Sequence, residues 1–410
     1  SFHTHQGTYV MRLMVYSHDA FGLGNIRRMV AICDYLLKAI PDVSILVVSG
    51  SPALHQLRLP DGLDYIKLPC LGRDAQGKMG VKFLRTELTD TLKLRGELIR
   101  TAATNFQPDA LLVDKKPDGL WQELQPTLDY LQQHSPQTRL ILLLRDILDS
   151  PAATIAQWQR ENYYTLTTTR YDQVWIVGSP HIFDAPRVYQ FSPELQAKTR
   201  FMGYIRRGQG QRSAAEVRRA LNVTAAERLI LVTPGGGGDG FRLANTYLDA
   251  SAAIVPDQPL ISLIVGGPEM PAAQKRHLRQ RIEQQSHLHW LEFTDDLASY
   301  ITAADLVVSM GGYNTIGEIL SLQRRAIVVP RIDPVAEQWI RAQRMAALGL
   351  FTTIHPDQLT VSHLAQRLCQ ELRTHPPTPG YLLDFNALPR ITAALLGLVH
   401  APPRQPKLVA

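Results

Sequence analysis

Two glycine-rich turns carry the strongest chemical signal in this sequence. Gly235-Gly236-Gly237-Gly238-Asp239-Gly240 follows an apolar run and opens a helical one. Glycines let backbone N–H groups approach an anion closely, and a helix amino terminus adds partial positive charge. A diphosphate is the natural occupant. The Gly-Lys-Ser/Thr ending of a P-loop is missing, which disfavours ATP hydrolysis of that class. The plain alternative is a strand-to-helix turn that needs glycine for positive φ. Asp239 is awkward beside an anion, and we expect it to cap the helix, facing away.

The second turn lies in "AADLVVSMGGYNTIGEILSLQRRAIVVPRIDPVAEQ", Ala303 to Gln338. It reads as a strand, a Gly311-Gly312 turn, a helix carrying Asn314, Thr315 and Glu318, a second strand, then a loop holding Glu337 and Gln338. Glu318 falls within the first two turns of its helix. A carboxylate there can accept both vicinal hydroxyls of a ribose. Glu337 and Gln338 are then placed to hold hydroxyls of an attached sugar. The bland reading makes Glu318 a surface residue complementing the helix dipole.

Titratable groups also gather at strand ends in the amino half. His18 and Asp19 follow the first strand, in the loop "SHDAFGLGN" that also holds Gly22, Gly24 and Asn25. Asp114 follows a second apolar run, and Asp146 and Asp149 a third. A histidine of ordinary pKa suits proton abstraction, and a neighbouring carboxylate can orient it. His18 and Asp19, or Asp146 and Asp149, are the candidate catalytic groups. Arg27 or Arg28, one turn into the first helix, is placed to meet a phosphate.

The elements that must position these groups are short apolar runs alternating with helical stretches, the pattern of parallel βαβ units. Strands are expected at residues 11–16, 45–48, 111–113, 140–144 and 174–177. After the basic stretch "RRGQGQRS" they resume at 229–232, 260–265, 306–308 and 326–329. The strand pattern lapses between Leu71 and Arg100. We expect an α/β chain of two Rossmann-like doubly wound domains. The amino-terminal acceptor-side domain takes residues 1–205 and the nucleotide-binding domain 206–385. Residues 386–410 form a helix and tail expected to pack back on the first domain. Ligands of such sheets bind beyond the carboxyl ends of the strands.

Composition narrows the class. The 410 residues are 45% hydrophobic and 20% charged, which excludes a disordered chain. Lys and Arg total 43 against 37 Asp and Glu, a net charge of +6 that suits anionic small molecules or an anionic membrane surface. No RNA-recognition signature appears, so nucleic acid is not an expected partner. Cys33, Cys70 and Cys369 lie far apart and form no CxxC pair, which suggests reduced thiols and no zinc site. No apolar run is long enough to span a bilayer, and Ser1 to Tyr9 lacks the apolar core of a signal peptide. A cytoplasmic protein is expected.

The segment from Ala303 to Gln338 resembles the donor-binding signature of GT-B glycosyltransferases, especially the family 28, MurG-like enzymes. The likeness rests on Ala304-Asp305, Gly312, Thr315, Glu318, Pro330 and Gln338, and extends upstream through "EFTDDLASYITAADLVV". In the amino half "GLGN" is similar to the family's first glycine-rich loop. The match is strong over about 290–340 and looser in the amino half, and it looks closer to uncharacterised MurG-like predicted glycosyltransferases than to MurG itself. It implies a GT-B frame whose two domains face across a cleft. It implies an inverting transfer of a sugar, a hexose or N-acetylhexosamine, from a UDP-linked donor to a hydroxyl on a lipid-linked or glycan acceptor. No metal or cofactor is implied, the nucleotide-sugar being a substrate. The enzyme would sit at the inner face of the membrane without crossing it. Thr294, after Phe293, would read the base through its backbone. One departure stands out. The family's first loop usually ends in a histidine that serves many relatives as the base, and that position here is Asn25. A carboxamide accepts no proton at neutral pH. The rival readings are a nucleotide-sugar epimerase and a non-catalytic nucleotide-binding regulator or subunit.

Overall fold

The computed structural model describes residues 4–5, 8–18, 24–52, 54, 59–74, 76–235, 239–374 and 381–402. The chain divides into two units. The first comprises Ser1–Gly203 with Asn386–Ala410, the second Tyr204–Phe385.

The first unit is built on a parallel sheet of seven strands: β1 (Arg12–Ser17), β2 (Ser44–Ser49), β3 (Leu63–Lys67), β4 (Ala110–Asp114), β5 (Arg139–Arg145), β6 (Gln173–Val177) and β7 (Thr199–Phe201). Their order across the sheet is 7-6-5-4-1-2-3. The central strands are nearly all apolar, because helices cover both faces and no side of the strand meets water. The helix Ala387–His400 belongs to this unit and packs on the helix Gly24–Ala39. Arg390 Nη1 ties it to the Met202 carbonyl at 2.8 Å.

The second unit has a six-stranded parallel sheet: β8 (Arg228–Thr233), β9 (Leu260–Val265), β10 (Leu288–Leu291), β11 (Leu306–Ser309), β12 (Ala326–Val328) and β13 (Thr352–Thr353). The order is 10-9-8-11-12-13. Counted within each unit, the sheets run 3-2-1-4-5-6-7 and 3-2-1-4-5-6, the doubly wound order in which the strand sequence reverses between the first and fourth strands. The basic stretch after Tyr204 lies on this second unit. Gln211 N–H donates to Asp296, and Gly210 sits so close to Ser299 that a Cβ would meet its Oγ at 2.0 Å.

The stretch from Leu71 to Arg100 departs from the expected lapse by an antiparallel hairpin, Leu71–Arg73 with Met79–Val81. The helix that follows, Leu88–Phe106, is where the sequence places a helical stretch, over residues 87–99. Among the described residues no helix is long and apolar enough to cross a membrane.

Candidate functional site

In the second unit the strand order reverses between β8 and β11, whose ends lie side by side with Thr233 opposite Ser309. Both glycine turns leave the sheet here. Gly235 takes φ +84°, which only glycine adopts without strain. Gly240 rests on Pro234, where a Cβ would lie 2.0 Å from the proline Cβ. Gly236, Gly237 and Gly238 lie outside the described residues. The helix Phe241–Ile254 starts at Gly240 and the helix Tyr313–Ser321 at Gly312, neither with a side-chain cap. A Cβ on Gly312 would meet nothing within 4 Å. Two helix amino termini therefore converge where a doubly wound sheet binds its ligand, a setting suited to an anion.

Asp239 does not cap its helix as expected. Its carboxylate makes a forked pair with Arg331, Nε at 2.5 Å and Nη2 at 2.7 Å. Burial alone would raise the Asp239 pKa, but the Arg331 hydrogen bonds and charge outweigh it and hold the carboxyl below its usual range. Glu337 and Gln338 face the Gly311 turn, where both have protein partners. Gln338 Oε1 accepts from Gly311 N at 3.2 Å and from Arg331 N at 3.0 Å. Glu337 pairs with Arg341, whose Nη1 donates to the Gly311 carbonyl at 3.0 Å. The pair thus braces the turn, and the sugar-holding role expected of it competes with these bonds. Arg331 and Arg341 were missed in the sequence. The first directly follows Pro330 at a strand end. The second stands four residues after Glu337, the helical ion-pair spacing.

On the helix Tyr313–Ser321, Asn314, Glu318 and Ser321 share one face at i, i+4 and i+7. Arg207 bonds both ends of this stripe, Nη2 to Asn314 Oδ1 at 2.8 Å and its backbone N–H to Ser321 Oγ at 3.0 Å. Thr315 and Glu318 are half-buried. Phe293 is exposed, and Thr294 Oγ1 accepts from Asp296 N at 3.0 Å, fixing the loop after β10.

In the first unit the reversal falls between β1 and β4. Asp19 and Gly22 lie outside the described residues, and Gly24 begins the first helix. Arg28 is 1% exposed and turned inward, so it is not the phosphate-facing arginine expected. Its Nη2 donates to Asn25 Oδ1 and to Asp114 Oδ1, each at 3.1 Å. His18 lies against the same aspartate, its Nδ1 3.2 Å from the Asp114 carbonyl. Burial pulls the His18 pKa down to about 3, against the opposing pull of the Asp114 charge. The imidazole is therefore neutral and a weak proton acceptor, which corrects the expectation of an ordinary histidine base.

The other two carboxylates are built into their loop. Asp146 is buried and its Oδ1 accepts from Ile147 N at 2.8 Å, while Asp149 Oδ1 accepts from Ser150 N at 2.7 Å. Asp149 remains half-buried. A group the sequence reading missed is Asp118, in the loop after β4, where burial pushes the carboxyl up to about 6. That loop is strained, with Lys115, Trp121 and Gln122 at φ of 62°, 53° and 61°. A buried network holds it: Glu123 takes a forked pair from Arg95 at 2.6 and 2.8 Å and a bond from the Tyr16 hydroxyl at 2.5 Å. Removing one partner would strand a buried charge.

Two doubly wound sheets in one chain, with glycine turns at the switch point of the second, define an α/β protein of the GT-B fold. Residues 229–379, all within the second unit, match the Glycosyltransferase family 28 C-terminal domain. A stretch of 149 residues, 36% of the chain, is 29% identical to the UDP-N-acetylglucosamine--N-acetylmuramyl-(pentapeptide) pyrophosphoryl-undecaprenol N-acetylglucosamine transferase of Yersinia pestis (strain Pestoides F). The match spans 41% of that relative's length. Among solved structures, MurG of Acinetobacter baumannii superposes with a TM-score of 0.57 at 14% identity, covering 95% of this chain and 99% of that one. A UDP-N-acetylglucosamine 2-epimerase superposes with a TM-score of 0.62 at 14% identity, covering 97% and 98%. These likenesses establish the fold.

Proposed function

We propose that the protein transfers a hexosyl or N-acetylhexosaminyl group from a UDP-linked donor to a hydroxyl on a lipid-linked or glycan acceptor, with inversion. The observation that carries this reading is the meeting of the Gly235 and Gly311-Gly312 turns at one switch point within the residues that match the family 28 domain. The acceptor oxygen bonds to the anomeric carbon as the bond from that carbon to the diphosphate oxygen breaks. Negative charge grows on the leaving diphosphate. Backbone amides at the two helix starts are suited to stabilise it. Glu318 takes the ribose hydroxyls, and the loop of Phe293 and Thr294 takes the base. The acceptor proton needs a base of suitable pKa. Among described residues Asp118 and Asp149 are the carboxylates to test, with His18 a weaker third.

The test incubates the protein with UDP-sugars alone, then with lipid and glycan acceptors, and follows UDP release and sugar stereochemistry. Acceptor-dependent UDP release supports transfer. Conversion of the donor alone favours an epimerase. Tight UDP binding with no turnover favours the non-catalytic reading, which draws support from Asn25 and from the low pKa of His18. Glu318→Ala is expected to weaken UDP binding by about 1.5–3 kcal/mol, the range for a hydrogen bond to a charged group.

A further inference from the structure

Arg331 spans the mouth of the switch point in the second unit. Its backbone N–H is held by Gln338 Oε1, the atom that also holds Gly311 N after β11. Its guanidinium reaches the other turn and grips Asp239, the residue before the helix start at Gly240. One side chain thus links the two loops between which the strand order reverses. The pair is only partly covered, with side-chain exposures of 34% and 43%. Asp239 uses the Nε–Nη2 edge. A guanidinium carries five N–H donors, and among the described residues no acceptor meets Nη1, so that edge is available to a ligand.

The charges around it make this cation necessary for an anionic ligand. Asp239 and Glu337 both act on Arg331, as does Glu269. Glu337 is matched by Arg341, but Asp239 is matched by Arg331. Without Arg331 the mouth would present a bare carboxylate to an incoming diphosphate.

We infer that Arg331 contacts the diphosphate of the nucleotide through its Nη1 edge, with Asp239 as the positioning residue that holds the guanidinium across the two loops. The inference rests on the donor-site reading above and adds a side-chain cation to the backbone amides. Bidentate geometry favours arginine over lysine for this role.

Calorimetry with UDP and with uridine tests it. Arg331→Ala is expected to weaken UDP binding roughly tenfold to a hundredfold, the loss of a charge-assisted hydrogen bond. Uridine affinity should stay unchanged, since uridine carries no phosphate. Arg331→Gln, which keeps an N–H toward Asp239, guards against a folding defect and should behave like the alanine variant. The double variant Arg331→Ala/Asp239→Asn should regain only the share of the loss that comes from the uncovered Asp239 carboxylate and should stay clearly weaker than the wild type. Full recovery in the double variant would mean that Arg331 only screens Asp239, and would overturn the inference. So would wild-type UDP affinity in Arg331→Ala and Arg331→Gln. A wild-type protein that binds no UDP would instead overturn the donor-site reading, and the inference with it.

Discussion

Arg28 and Asp114 form a buried ion pair at 3.1 Å, between the first helix and the end of β4. The same guanidinium holds Asn25 Oδ1. Arginine can only donate, so the Asn25 oxygen must face it and the amide NH2 turns away. Asn25 therefore presents its amide NH2, a donor, on the side away from Arg28.

Removing Arg28 strands the Asp114 charge in the interior. Arg28→Leu is expected to cost about 3–5 kcal/mol in urea unfolding. Arg28→Leu/Asp114→Asn should recover most of that loss. Equal stability of the single variant and the wild type would contradict a charged buried pair.

Acid should weaken the first unit through His18. Its folded pKa, about 3, lies below the ordinary 6.5. The unfolded chain therefore binds the proton first as pH falls. Stability is full above about pH 6.5 and declines toward pH 3, by up to about 4 kcal/mol. Asp118 acts with the opposite sign. Its carboxyl is raised to about 6, so its charged form disfavours folding as pH rises from about 4 through 6. His18→Gln should flatten the acid limb of the stability curve, and Asp118→Asn should steepen it. Urea unfolding across pH 4–7 separates the two.

Gly312 and Gly240 should answer differently to alanine. Gly312 has φ −62° and open space where a Cβ would go, so Gly312→Ala should leave Tm unchanged. Loss of UDP affinity in that variant would then report a ligand lying against the turn. Gly240→Ala must push against Pro234 and should lower stability by about 1–3 kcal/mol. Unaltered UDP binding in Gly312→Ala would remove the ligand from that turn.

A lipid-linked acceptor requires docking at a membrane surface. Phe83 and Leu84 are 67% and 46% exposed, beside Lys82 and Arg85 and following the hairpin that starts its return strand after Lys78. Such a mixture suits an interfacial segment. Flotation with anionic vesicles should fall when Lys78, Lys82 and Arg85 are replaced together, and again for Phe83→Ser. Indifference to both changes and to lipid charge would count against docking here.

The sequence by itself determined the inner strands, the two glycine turns and the doubly wound class. Strands β1, β2, β4, β5, β6, β8, β9, β11 and β12 are legible because burial on both faces makes each a continuous apolar run. Within the two parallel sheets, the four strands that the apolar pattern does not reveal, β3, β7, β10 and β13, are the outer ones. An edge strand is partly solvated and short, so its residues carry no such run. Only the tertiary structure decided the partners of the charged groups. Arg331 meets Asp239 across 92 residues, and Arg28 meets Asp114 across 86. Those meetings depend on which strands lie side by side, and local composition does not encode strand order. The contact of His18 with the end of β4 has the same origin, since Asp114 lies 96 residues away in the chain.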